Sequence, residues 1–166
     1  MRVIVSDSSA PIDLKKGGLL EVFTRLPFDL VVPEDILADE LLSFSKAEIG
    51  LMRRTMTVAG VEATEMARVL EFQRTRPVLS FHDCTALVIV EREQDSVLLT
   101  GDRRLRETAQ ELEIECHGVL WAVAQIADEK LTSKRALISA LEVWQDDILV
   151  RLPEAEVAAM IRHLRA

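Results

Sequence analysis

The sequence contains no tyrosine, few aromatic residues and only two cysteines. Aromatic residues make up 4% of the 166 positions, whereas RNA-recognition sheets and OB-fold grooves bind single strands by stacking bases on aromatic side chains. The composition therefore argues against both of those classes. Cys84 and Cys116 could form one disulfide at most, which excludes a scaffold held together by several disulfides.

Long apolar runs and an excess of positive charge are also missing. No run approaches the roughly 20 apolar residues of a membrane span, and the opening segment MRVIVSD lacks the apolar core of a secretion signal. The chain has 20 Lys and Arg against 28 Asp and Glu, a formal net charge of −8. This balance argues against coating nucleic acid by bulk charge. We therefore expect a cytoplasmic protein that does not bind a membrane.

The composition that remains is typical of a folded α/β domain. Hydrophobic residues are 49% and charged residues 29% of the chain, and a chain of this length buries about two-thirds of its unfolded surface. Apolar segments alternate with helical patterns, which predicts a three-layer α/β/α sandwich around a mostly parallel sheet. The predicted strands are residues 3–5, 28–32, 78–81, 96–100 and 114–116, and residues 46–76 are predicted to be helical throughout, with interruptions at Gly50 and Gly60.

Two amphipathic helices are predicted beyond the α/β region, over residues 133–145 and 153–164. The chain is thus divided into an α/β domain at residues 1–126 and a helical extension at residues 127–166, a hairpin packed on the core or on a second subunit. We expect the apolar side chains of this extension to be exposed in a monomer, which predicts a homodimer. These side chains are Leu137, Leu141, Trp144, Ile161 and Leu164.

Acidic residues follow three of the predicted strands. Asp7, Asp83 and Asp102 each come between a strand and a helix, and the carboxyl ends of parallel strands share one edge of a sheet. Glu40 lies in the apolar stripe of a helix predicted to begin near Pro33, where a carboxylate is costly unless it is paired or bound to a metal. Four converging carboxylates suit Mg²⁺ or Mn²⁺. Such ions can activate water for phosphodiester hydrolysis.

The same acids have a second interpretation, because aspartate is also a good helix N-cap. On the pattern alone, capping and metal binding are about equally well supported. Arg103, Arg104 and Arg106 then occupy the first turn of a helix, where cations oppose the helix dipole. Binding of a substrate phosphate would offset this cost and is slightly favoured over a solvated face with an Arg103–Glu107 pair.

Four segments resemble those of PIN-domain nucleases. They are VIVSDSS at residues 3–9, ILADELL at 36–42, LSFHDCTA at 79–86 and LLTGDRRL at 98–105, and their order and spacing fit over residues 1–126. The resemblance implies an α/β/α sandwich with metal-dependent ribonuclease activity. It also implies that the metal-site acids are Asp7, Glu40, Asp83 and Asp102, and that the hydroxyls of Ser9 and Thr100 orient water or phosphate.

Many proteins of this family are VapC-like toxins, so the resemblance also implies a cognate antitoxin as partner. One position departs from the family pattern, since Pro11 replaces a large apolar residue that would pack beneath the site. An alternative therefore stays open, namely a catalytically weak PIN-fold module that binds a protein or RNA partner. A phosphatase is disfavoured because it would need a second aspartate at position 9, where the chain has Ser9.

Overall fold

The computed structural model describes all 166 residues and contains one sheet of five parallel strands flanked by helices. The strands are β1 (Val3–Ser6), β2 (Asp29–Pro33), β3 (Thr57–Ala59), β4 (Ser96–Leu99) and β5 (Cys116–His117), in the order β3-β2-β1-β4-β5. The predicted α/β/α sandwich with a parallel sheet is confirmed. β1 is the central strand, and Ile4 and Val5 are fully buried, as expected for a strand that is covered on both faces.

Ten α-helices and one short 3₁₀ helix, Ala63–Glu65, connect and cover the strands. None of the helices has the length and apolar character needed to cross a membrane. The α-helices are α1 (Ser9–Lys16), α2 (Leu20–Phe23), α3 (Glu34–Asp39), α4 (Lys46–Thr55), α5 (Met66–Thr75), α6 (Phe81–Arg92), α7 (Arg103–Glu111), α8 (Val119–Asp128), α9 (Lys134–Asp146) and α10 (Glu154–Arg165).

Two segments form a different kind of element from the one predicted, and Gly50, predicted to interrupt the helix, lies inside α4 without interrupting it. Residues 57–59, predicted to be helical, form β3 and pair with β2, while residues 78–81 form no strand. Helix α6 begins inside the second segment, because Ser80 is its N-cap and makes a capping box with Asp83. A four-residue apolar run does not distinguish a strand from the turn before a helix. Asp83 therefore lies in the first turn of α6 and does not follow a strand.

The C-terminal helices are part of one continuous core. Leu137, Leu141 and Trp144 of α9 and Ile161 and Leu164 of α10 are all buried within the single chain, so the prediction that they are exposed was wrong. The division drawn at residue 126 falls in the last turn of α8. These side chains are therefore not available for an interface between two subunits. The homodimer stays a prediction, without the apolar patch that supported it.

Candidate active site

The order of the strands creates a crevice at the carboxyl ends of β1 and β4. The chain runs from β1 outward to β2 and β3 and then returns to the other side of β1 as β4. In open α/β sheets, ligands bind at the point where the strand order reverses in this way. Ser6 pairs with Leu99 at this point, and the backbone N–H of Asp7 donates to the carbonyl of Leu99 at 3.2 Å. Asp7 and Thr100 are therefore neighbours across the crevice.

Asp7 is the most deeply buried acid of the chain, with 3% of its surface exposed. Its Oδ1 accepts hydrogen bonds from the Ser9 hydroxyl at 2.7 Å and from the backbone N–H groups of Ser9 and Ala10 at 3.0 and 3.3 Å. Its Oδ2 accepts one from the Thr100 hydroxyl. Burial raises the pKa of Asp7 to about 7, although these hydrogen bonds oppose the shift. Four donors and no acceptor around one carboxyl match its ionised form.

The Ser9 and Thr100 hydroxyls connect the β1–α1 and β4–α7 loops. Each donates to Asp7 and accepts a backbone N–H of the β4–α7 loop: Gly101 donates to Ser9 Oγ at 2.7 Å, and Asp102 donates to Thr100 Oγ1 at 3.0 Å. A hydroxyl has only one proton to donate, and in both residues that proton is directed at Asp7. Both hydroxyls lie next to Asp7, and their predicted role in orienting water or phosphate stays a prediction. The contacts that they make hold the carboxylate in place.

Asp83 and Asp102 each use one oxygen to cap a helix. Asp83 Oδ2 accepts the backbone N–H of Ser80 at 2.9 Å, and Asp102 Oδ1 accepts that of Leu105 at 3.0 Å. The other oxygen of each carboxylate accepts no hydrogen bond from the chain. Capping and ligand binding are thus compatible in this site, because capping occupies only half of each carboxylate.

The four predicted acids are electrostatically coupled through Asp83. Burial raises the pKa of Asp83 and the charge of Asp102 raises it further. Burial likewise raises the pKa of Asp7 and of Glu40, and in both the charge of Asp83 adds to the shift. None of Asp7, Asp83 and Asp102 forms an ion pair with Lys, Arg or His. The charges of Asp7, Asp83 and Asp102 are therefore not neutralised by any ion pair within the chain.

Glu40 reaches this edge from the end of a shorter helix than the sequence predicted. α3 ends at Asp39, and Glu40 is its C-cap, so the prediction that Glu40 lies in the apolar stripe of a continuing helix was wrong. Its side chain is 33% exposed, and Ser8 donates a hydrogen bond to Glu40 Oε2 at 3.2 Å. The free-energy cost of burying the Glu40 carboxylate is consequently smaller than it would be in a fully buried position.

His82 contacts two acids at the end of α3, and the sequence did not predict these contacts. Its Nε2 lies 3.0 Å from Asp39 Oδ2, and its Nδ1 lies 3.8 Å from Glu40 Oε1. Burial lowers the pKa of His82, but the hydrogen bond to Asp39 and the charges of Glu40 and Asp35 outweigh it, so the net shift is upward. No local sequence signal could have found this contact, because Asp39 and Glu40 lie more than 40 positions away in the sequence.

These features agree with the comparison to known families. A family model described as a PIN domain matches residues 3–166. The chain belongs to the PIN-domain family. The resemblance seen in the sequence is thereby confirmed, and the matched region includes the C-terminal helices. Members of this family are generally nucleases and typically use divalent metal ions. A search of curated proteins finds no match to the chain.

The donor set of this PIN domain fits a hard divalent cation, although the acids do not converge on one point. No three His, Cys, Asp or Glu side chains are close enough together to hold a metal ion directly. The groups at the crevice are carboxylate oxygens, which suit Mg²⁺ or Mn²⁺ and do not suit Zn²⁺. Mg²⁺ usually keeps several waters and takes only one or two protein carboxylates. Spaced acids that share one negative crevice are compatible with that mode of binding.

The three arginines at the start of α7 point in different directions in this PIN domain. Arg103 is 89% exposed and pairs with Glu107 at 2.8 Å, which is the arrangement expected of a solvated face. Arg106 is half-buried and donates to the Thr100 carbonyl at 3.0 Å. Arg104 lines a groove together with Arg76 of the α5–α6 loop. Their predicted role in binding phosphate is a proposal, which Arg104 and Arg106 support better than Arg103.

Proposed function

We propose that this PIN domain is a divalent-metal-dependent endoribonuclease that hydrolyses RNA phosphodiester bonds. The observation that carries the proposal is the buried Asp7 at the strand-order reversal, with Glu40, Asp83 and Asp102 beside it and no Lys or Arg paired with any of the four. A carboxylate in such a place is costly without a cation. The proposed ligands of Mg²⁺ or Mn²⁺ are oxygens of these four residues. RNA as the substrate rests on the family resemblance.

Each residue of the crevice has a separate task in this proposal. A bound divalent ion would supply charge stabilisation and an activated water for an in-line displacement at phosphorus. Ser9 and Thr100 hold Asp7 ionised and fixed by donating their protons to it. Asp83 and Asp102 keep one oxygen each free for the ion or its waters. Arg104 and Arg106 flank the crevice and attract the phosphates of the strand.

Cleavage of RNA by matched aspartate variants tests this proposal. Asp83→Asn retains a side-chain oxygen that can accept the Ser80 N–H and removes one charge, so we expect it to fold and to lower the cleavage rate by about two to three orders of magnitude. Asp95→Asn is the control, because Asp95 lies at the opposite edge of the sheet and pairs with Arg2. Wild type and Asp95→Asn should cleave with Mg²⁺ or Mn²⁺ and stop with chelator. Cleavage that persists in chelator or in Asp83→Asn would contradict the proposal.

The alternative is a catalytically weak PIN-fold module that acts through a protein or RNA partner. The observation that favours it is the separation of the acids, since no three of them form a direct metal cluster. Pro11 supports this alternative less than the sequence implied. It lies in the first turn of α1, and Asp7 has four hydrogen bonds despite the proline nearby. Binding of RNA with no metal-dependent cleavage would support the module.

We further propose that the protein is the toxin of a type II toxin–antitoxin pair. The support is the family resemblance, together with a crevice whose uncompensated carboxylates would accept an arginine from an antitoxin segment. We expect RNA cleavage to fall when the protein encoded by the neighbouring gene is added and to recover when it is removed. Equal cleavage with and without that protein would contradict the toxin role and leave the nuclease proposal intact.

A further inference from the structure

We propose that a cavity beside β5 is a nucleotide subsite that binds one phosphate and one base of the RNA strand next to the site of cleavage. This inference rests on the proposed function, since it names how the same crevice would bind its substrate. The cavity has a volume of about 280 Å³ and lies at the carboxyl end of β5. Arg106, Trp121, Arg151 and Glu156 are among the residues that line it.

Thr100 makes hydrogen bonds both to residues that line the cavity and to Asp7 in the acidic crevice. Arg106 lines the cavity and donates to the Thr100 carbonyl at 3.0 Å, while the Thr100 N–H donates to the His117 carbonyl at 2.9 Å. The hydroxyl of the same Thr100 donates to Asp7. A strand that crosses the carboxyl edge of the sheet at Asp7 would therefore place its neighbouring nucleotide at this cavity.

The charge of the cavity favours a phosphate. Arg151 is exposed and forms no ion pair within the chain, and the Arg106 guanidinium, which also forms no ion pair, donates a hydrogen bond to a backbone carbonyl. Glu156 is the only carboxylate in the lining. Two guanidinium groups against one carboxylate form a locally positive surface on a chain whose net charge is −8. Guanidinium groups recognise phosphate through paired N–H donors.

Gly118 permits this placement of Arg106. A Cβ atom at position 118 would lie 3.0 Å from Arg106 Nη2 and 3.5 Å from the Thr100 carbonyl oxygen. The absence of a side chain at position 118 leaves room for the Arg106 guanidinium beside the Thr100 carbonyl, and a larger residue would require that guanidinium to shift by a few tenths of an ångström.

A stack of rings next to the arginines favours a base. The ring centroids of His117 and Trp121 are 4.8 Å apart with planes within 7°, and Phe28 stacks on Trp121 at 5.8 Å. The chain has only two tryptophans and five phenylalanines, so a stack of three rings brings much of its aromatic surface together at one place. His117 and Trp121 line the cavity and Phe28 does not, so a base would stack at the His117–Trp121 end of this group, with little dependence on sequence. Phosphate-binding and base-stacking groups in one cavity indicate a single-stranded nucleotide.

RNA binding without turnover tests the subsite independently of cleavage. Binding of a short labelled single-stranded RNA is measured in chelator by fluorescence anisotropy over a range of salt concentrations. Arg151→Ala should weaken binding by about tenfold, the effect of one lost charge-assisted contact. It should also reduce the slope of log K against log salt by about 0.7, the value for one phosphate of a single strand. Arg162→Ala, an exposed arginine of α10 outside the cavity, is the matched control and should change neither.

Tryptophan emission locates the bound strand. Trp144 is buried in the core, so quenching by RNA should come from Trp121, and Trp121→Phe should bind RNA with little quenching. Unchanged affinity and salt slope in Arg151→Ala would overturn the subsite, whether or not the chain cleaves RNA. Binding through Arg151 without any cleavage would support the subsite and contradict the nuclease proposal. An acidic peptide that binds through Arg151 more tightly than RNA would contradict the subsite and assign the cavity to a protein partner.

Discussion

Asp7→Asn is expected to gain stability relative to wild type, in the metal-free chain, as the pH rises from about 4 to about 8. The pKa of Asp7 in the folded chain is about 7, above its ordinary value of 3.8. An acid with a raised pKa favours the folded state at low pH, and this contribution is lost as the pH rises from about 4 to about 7. Asparagine does not ionise, so the variant avoids that loss.

The size of the change in stability follows from the difference between the ordinary pKa of Asp7 and its pKa in the folded chain. About three pKa units correspond to about 4 kcal/mol, so the free energy of unfolding of Asp7→Asn, relative to wild type, should rise by up to that amount between pH 4 and pH 8. Urea unfolding in chelator at several pH values measures this difference. Asp95→Asn, at an exposed position, should follow wild type. A difference between Asp7→Asn and wild type that is the same at every pH would contradict the assigned ionisation of Asp7.

Trp144→Ala is expected to destabilise the whole chain by about 4 kcal/mol, as large-to-small changes in a core do. The indole is 1% exposed and its N–H donates to the Asp13 carbonyl in α1 at 2.8 Å. Gly17, just past the end of α1, receives the ring so closely that a Cβ atom there would lie 2.9 Å from it. α9 is therefore joined to the helix that carries Ser9 and Ala10, two residues that bind Asp7.

Urea unfolding followed by the emission of Trp121 tests this coupling, because Trp121 is the only tryptophan left in Trp144→Ala. The midpoint reported by Trp121 should fall, although the substitution lies in the C-terminal hairpin. Val143→Ala is the control, since Val143 is the adjacent residue and is 43% exposed; it should cost less than about 1 kcal/mol. An unchanged midpoint at Trp121 would show that residues 127–166 form a separable unit.

The parallel sheet and the position of Asp7 could be predicted from the sequence because both depend on local patterns. Short apolar strands that alternate with helical segments specify a parallel sheet, and an acid directly after the first strand lies at its carboxyl edge in any such sheet. Asp102 follows β4 in the same way. The side of β1 on which β4 pairs is set by tertiary packing. The crevice between Asp7 and Thr100 therefore required the structure.

The sequence could not predict the surroundings of Asp83, Glu40 and His82. The Val78–Phe81 run is as apolar as a strand, but the Ser80–Asp83 capping box begins a helix there, so Asp83 reaches the crevice from a helix start. Glu40 depends on where α3 ends, and helix ends are poorly specified by periodicity. His82 touches Asp39 and Glu40 across more than 40 positions of sequence. No local pattern encodes that contact.

We propose that the four acids bind a divalent ion and are not helix caps alone. Asparagine caps a helix about as well as aspartate, so Asp102→Asn separates the two roles. Melting temperatures of wild type, Asp102→Asn and Asp95→Asn are measured in chelator and in Mn²⁺. We expect Mn²⁺ to stabilise wild type and Asp95→Asn, by about 2.7 kcal/mol at a hundred times the dissociation constant. Asp102→Asn should fold equally well in chelator and lose most of that response. A wild-type melting temperature that is the same in chelator and in Mn²⁺ would contradict the claim and leave these aspartates as helix caps.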